Sequence, residues 1–160
     1  MIADSDGDEG SSLEVQVDPK KAKAYLRLRM MNLLARREYS ELELSRKLSK
    51  EPYYSEVLAR LQDEGLQSDL RFAEAYLRSK SGQGRGPIRI RQELRQKGIA
   101  DGMIAAVFEE QDINWFVILE ELVERKYQGL PPEDLKERAK RQRFLAGRGF
   151  SFDMINDLLS

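Results

Sequence analysis

One apolar register occurs three times along the chain. Leu48, Leu94 and Leu145 are its anchors. Ten residues beyond them stand Leu58, Ile104 and Ile155, and thirteen beyond stand Leu61, Val107 and Leu158. Four beyond each anchor come Pro52, Gly98 and Gly149, followed by Tyr53, Ile99 and Phe150. The period is 46 and then 51 residues, a length that marks a repeat architecture. Within each copy the apolar residues recur at helical spacing, so each copy reads as three short helices. A unit this small buries too little apolar surface to be secure alone, and neighbours are expected to pack in series. The expected fold is all-α: a tandem array of three three-helix repeats, elongated and curved. Its parts are an acidic disordered tail over 1–18 and repeats over 19–66, 67–111 and 112–160.

Helix boundaries follow from capping chemistry. A first helix is expected over 19–37, with Leu26, Met30, Leu33 and Leu34 as its buried stripe. Ser40 and Glu43 have the spacing of a capping box and open a helix carrying Leu44 and Leu48. A third, over about 53–64, turns Val57, Leu58 and Leu61 inward. Ser68-Asp69 caps the next, with Phe72, Ala73, Tyr76 and Leu77 inward. Asp101 and Asp112 are expected to cap two more, the second running from Ile113 to about Gln128. The last two cover 133–147 and the segment after Ser151. At Arg141 the third copy has a charge where the others have Leu44 and Ile90.

The middle copy holds the most distinctive stretch, Gly82 to Ile99. Gly82, Gly84 and Gly86 precede Pro87, which suits a first helical position because its φ is preset and its missing N–H has no partner there. A helix to about Lys97 follows, ended by Gly98 in the left-handed conformation. Ile90 and Leu94 share its apolar face, and Arg89, Arg91 and Arg95 lie off it. From Arg71 to Lys97 there are eight basic and two acidic residues, a local charge of +6. The glycines read as a turn between helices. The alternative is an anion held at the amides of Ile88 and Arg89 beside Arg85.

The net charge of −1 conceals an asymmetry. Residues 1–18 carry six acids and no base, leaving the remainder at +5. Cysteine and histidine are absent, which excludes disulfides, thiolate zinc sites and any histidine-assisted nucleophile. No apolar run approaches the ~20 residues that span a bilayer. The acidic cluster Glu120, Glu121 and Glu124 lacks histidine partners and reads as a surface face. No catalytic residue, metal or cofactor is expected, and the protein is expected to be cytoplasmic and not an enzyme.

Four segments resemble the RecX family of recombinase regulators. They are Arg37-Glu38-Tyr39-Ser40 with Glu43-Leu44 and Lys47-Leu48; Asp69 with Arg71-Phe72-Ala73-Glu74-Ala75-Tyr76 and Arg78-Ser79; Gly84 to Ile99; and Phe144-Leu145 with Arg148-Gly149-Phe150-Ser151 and Asp153. The similarity covers roughly residues 22–159 and departs at the acidic tail and at Glu51-Pro52, where glycine is more usual. It implies tandem three-helix units and a bacterial cytoplasmic protein. It also implies binding along the groove of the RecA filament on single-stranded DNA. Such binding restrains filament growth, ATPase, strand exchange and coprotease activity, and takes part in DNA repair, recombination and the SOS response. No catalytic residues come with it.

The candidate contacts for filament or DNA are Arg71, Arg78, Lys80, Arg85, Arg89, Arg91, Arg95, Lys97, Lys140, Arg143 and Arg148. Single-stranded DNA is engaged directly or through the filament, and the protein is expected to act as a monomer with no membrane contact. Patches of both signs suit a protein groove better than a bare phosphate track. The other reading is a helix-turn-helix-like DNA-binding module acting without a recombinase.

Overall fold

The computed structural model describes residues 18–160; the acidic tail, apart from Asp18, lies outside the described residues. Among the described residues there are nine helices and no strand: α1 (Pro19–Arg36), α2 (Glu41–Leu48), α3 (Tyr54–Asp63), α4 (Asp69–Gly82), α5 (Pro87–Gln96), α6 (Asp101–Gln111), α7 (Trp115–Tyr127), α8 (Leu135–Arg148) and α9 (Phe152–Leu159). The all-α, tandem three-helix architecture expected from the register is the one observed. The chain divides into two compact units between Ser68 and Asp69.

In the first unit α1 packs on α3. Asp18 caps α1, accepting from the Lys20 amide at 3.0 Å. Leu26 and Met30 are buried and Leu33 and Leu34 partly so, alongside Leu44, Leu48, Val57, Leu58 and Leu61. The capping box forms as expected: Ser40 Oγ accepts from the Glu43 amide, and Glu43 accepts from the Ser40 amide. Arg37 donates to both carboxylate oxygens of Glu43 and lies 3.6 Å from the Tyr39 ring centroid. Those hydrogen bonds raise the Arg37 pKa further.

The second unit contains two clusters. Phe72, Ala73, Leu77, Ile90, Leu94, Ile99, Ile104, Val107 and Phe108 form the core of α4, α5 and α6. Leu119, Leu122, Leu145, Phe150 and Ile155 form that of α7, α8 and α9. Trp115 packs against both. All three anchors are buried, as are the positions ten beyond them. Thirteen beyond, Leu61 and Val107 are buried and Leu158 is partly so.

Two local expectations are corrected. Asp101 is the first residue of α6, with Ala100 as cap, and its carboxylate accepts from Arg95 Nε at 2.8 Å. Asp112 closes α6, in the left-handed conformation (φ 43) that a short polar side chain tolerates. Asn114 is the cap of α7, accepting from the Val117 amide. The position after the turn also differs between copies. Ile99 and Phe150 are buried, but Tyr53 is 40% exposed. Gly98 and Gly149 take positive φ there, which the ring of Pro52 forbids, so the left-handed turn passes to Tyr53 at φ 66.

Candidate partner interface

Much of the basic charge on the first unit is engaged internally. Lys23, Arg27 and Arg29 pair with Glu56, Glu64 and Glu51 at 3.0, 2.6 and 2.8 Å. These acids stand on or beside α3, opposite α1, so the seven cations of residues 19–37 do not make one free face.

In the second unit the candidate cations fall into four groups. Arg71, Arg78, Lys140 and Arg143 are exposed, on α4 and α8. Lys80 is half-buried beside the Tyr76 ring, and Lys97 is half-buried at the end of α5. Arg91 and Arg95 line an open hollow with Asp101, Phe108, Asp112 and Trp115. There the Arg91 guanidinium lies 4.3 Å from the Phe108 centroid, and Phe108 stacks on Trp115. Arg91 is therefore seated on the core as well as facing the hollow.

The fourth group surrounds a contact between the two bundles of this unit. The Gly86 amide donates to the Arg148 carbonyl at 2.8 Å, and the Ile88 amide donates to the Gly149 carbonyl at 3.0 Å. The open carbonyls at the end of α8 thus satisfy the open amides at the start of α5, which sets the negative end of one helix against the positive end of the other. This bond occupies the Ile88 amide that the alternative reading, an anion at the amides of Ile88 and Arg89, would need. The approach requires glycine on both sides. A Cβ on Gly149 would stand 2.5 Å from Arg89 Cβ, and one on Gly86 would overlap the Gly149 carbonyl group.

Around this joint stand Arg85, Arg89 and Arg148. Arg85 donates to both oxygens of Glu93 at 3.0 and 2.9 Å, and Arg89 lies 3.9 Å from the same carboxylate. Arg148 donates to the Gln83 carbonyl at 2.8 Å. Burial, then the charges of Arg89, Arg85 and Arg125, hold the Arg148 guanidinium below its ordinary pKa. Arg125 was not among the sequence candidates. It sits on α7 near three glutamates, and only the folded chain brings it to Gly84.

The acidic residues Glu109, Glu110, Glu120, Glu121 and Glu124 are exposed. Among the described residues no group of three His, Cys, Asp or Glu side chains is placed to hold a metal, and no helix is long and apolar enough to cross a membrane.

Fold and surface together define a class: a tandem three-helix-repeat protein that presents cations from several helices. Residues 68–107 match the family model described as RecX, second three-helix domain, and residues 116–159 match RecX, third three-helix domain. The chain is 44% identical over 139 residues to the regulatory protein RecX of Pseudomonas putida, covering 84% of this chain and 89% of that one. It is 47% identical over 133 residues to RecX of Ectopseudomonas mendocina, covering 81% and 89%. A crystal structure of regulatory protein RecX superposes with a TM-score of 0.67 at 25% identity, covering 90% of this chain and 78% of that one. The crystal structure of RecX from Lactobacillus salivarius shares the fold, with a TM-score of 0.67 over 88% and 96% of the two chains. The chain belongs to the RecX family of regulatory proteins.

Proposed function

We propose that this protein binds the RecA filament on single-stranded DNA and restrains its growth, ATPase, strand exchange and coprotease activity. It acts by contact, as a cytoplasmic regulator without a reaction centre. The observation that carries this reading is identity of 44% and 47% to proteins named regulatory protein RecX, across more than four-fifths of the chain. The surface supports it. Exposed cations stand on α4 and α8 and exposed acids on α6 and α7, a mixture of signs suited to a protein groove. Repeats at 19–66, 67–111 and 112–160 would let one chain touch successive filament subunits, gaining avidity from their spacing. The contacts are assigned to the exposed and half-exposed cations from Arg71 to Lys97, with Lys140, Arg143 and Arg148.

The test is RecA ATPase on single-stranded DNA. Turnover falls with substoichiometric protein if the reading is right, and unchanged turnover at equimolar protein removes it. Arg91 supports Phe108, so the better surface probe is Arg78→Ala, Lys140→Ala and Arg143→Ala together. This variant keeps its thermal midpoint and loses filament co-sedimentation.

A further inference from the structure

Four arginines, from three helices and the turn before one of them, stand around the joint between the two bundles of the second unit. Arg85 comes from the turn before α5, Arg89 from its first turn, Arg125 from the end of α7 and Arg148 from the end of α8. A single point, where a Gly84 Cβ would stand, lies 3.4 Å from Arg125 Nη2 and 3.6 Å from Arg148 Nη2. Those two nitrogens are therefore no more than 7.0 Å apart, the sum of the two distances. Glu93 is the carboxylate of this group, and Arg85 occupies both of its oxygens. Counted against Glu93 alone, the four guanidiniums carry a surplus of three positive charges.

A purely structural role does not account for this. The joint is already held by two backbone hydrogen bonds. The Arg125 side chain has no hydrogen bond or ion pair among the described residues, and that of Arg148 has the Gln83 carbonyl but no carboxylate. Like charges brought together in partly buried surroundings repel, and that cost needs a counter-charge. The Nε atoms of Arg85 and Arg148 are also buried without an acceptor.

We propose that Arg85, Arg89, Arg125 and Arg148 form a seat for a phosphate group of a nucleic-acid strand. Guanidinium forks match the oxygens of a phosphate, and a tetrahedral anion accepts from several forks at once, which a single carboxylate does less well. The group is open rather than enclosed, with Arg125 exposed and Arg89 half-exposed, so a strand crossing the surface can place a backbone phosphate there. The inference rests on the reading above only on its nucleic-acid side, and it names where that strand is held.

The experiment uses the full chain without a recombinase, so its failure is separate from failure of the ATPase test. Binding of a labelled oligo(dT) bearing a 5′-hydroxyl is followed by anisotropy over a salt series. Arg125→Gln and Arg89→Gln each weaken binding about tenfold and lower the log–log salt slope by about 1. Lys47→Gln, exposed on α2, does neither. Inorganic phosphate competes more strongly than chloride at equal ionic strength. Unchanged affinity and slope in Arg125→Gln overturn the proposal. Saturation by inorganic phosphate without oligonucleotide binding assigns the seat to free phosphate and overturns the strand. Equal competition by polyglutamate at matched charge overturns it in favour of an acidic protein.

Discussion

Gly86→Ala isolates the cost of the joint between the two bundles. Gly86 has φ −83, which alanine adopts without strain, so the substitution tests contact alone. The new methyl would overlap the Gly149 carbonyl group and stand 2.8 Å from the Phe150 nitrogen. Those are backbone atoms and cannot rotate away, so α5 and the end of α8 must separate by roughly an ångström to restore van der Waals contact. Separation stretches two hydrogen bonds, of 2.8 and 3.0 Å, each worth about 1 kcal/mol net. Overpacking adds about 1–3 kcal/mol. Alanine returns about 0.5 kcal/mol by restricting the unfolded chain. The expected net loss is about 3 kcal/mol, or a fall in thermal midpoint of about 10 °C or more for a unit of this size. The assay is urea unfolding followed by Trp115, the chain's single tryptophan, which packs against both clusters of the unit. Gly102→Ala is the control. It lies in α6 with nothing within 4 Å of its Cβ and should stabilise by about 0.5–1 kcal/mol. A Gly86→Ala protein as stable as the parent would refute the view that this backbone contact binds the two bundles.

Further outcomes concern the third bundle. Gln128 ends α7 at φ 56, so Gln128→Gly should raise stability by about 1 kcal/mol in the same urea assay. Arg141→Ala should cost about 2 kcal/mol through lost packing and cation–π contact. Arg141→Leu, the residue type of the matching Leu44, should restore most of that, and equal losses in both would argue against a packing role. Glu137 is held below its ordinary carboxylate value, first by the Glu133 amide and then by the Arg141 side chain. Its stabilisation is therefore complete above about pH 4.5 and lost as pH falls through the lower folded value. In acid titration the parent should lose its advantage over Glu137→Gln only below that point.

The apolar register was legible because helical period alone decides which residues share a face, and the anchors followed it into the core. Arg141 shows where that logic stops. Its position in the register points inward, its charge argues for water, and the register wins because partners are supplied. Nη1 donates to the Leu130 carbonyl, Nη2 to Glu137, and the guanidinium lies 4.0 Å from the Tyr127 centroid. Caps were half legible. A serine with glutamate three residues on defines one geometry, but an aspartate near a helix start fits either cap or first residue, and Asp101 took the second. The basic stretch before and within α5 was visible as composition. Which of its cations met, and that Arg125 joined them, depended on contacts between residues far apart in sequence. The glycines hinted at close backbone approach without naming Gly149 as its target.

The bond from Ile88 to the Gly149 carbonyl also has a temporal side. A ribosome delivers α5 well before it delivers the carbonyls that close its amino end, so that helix emerges with two donors open to water. Water serves them until residue 149 is made, and only then can the two backbone bonds of the joint close.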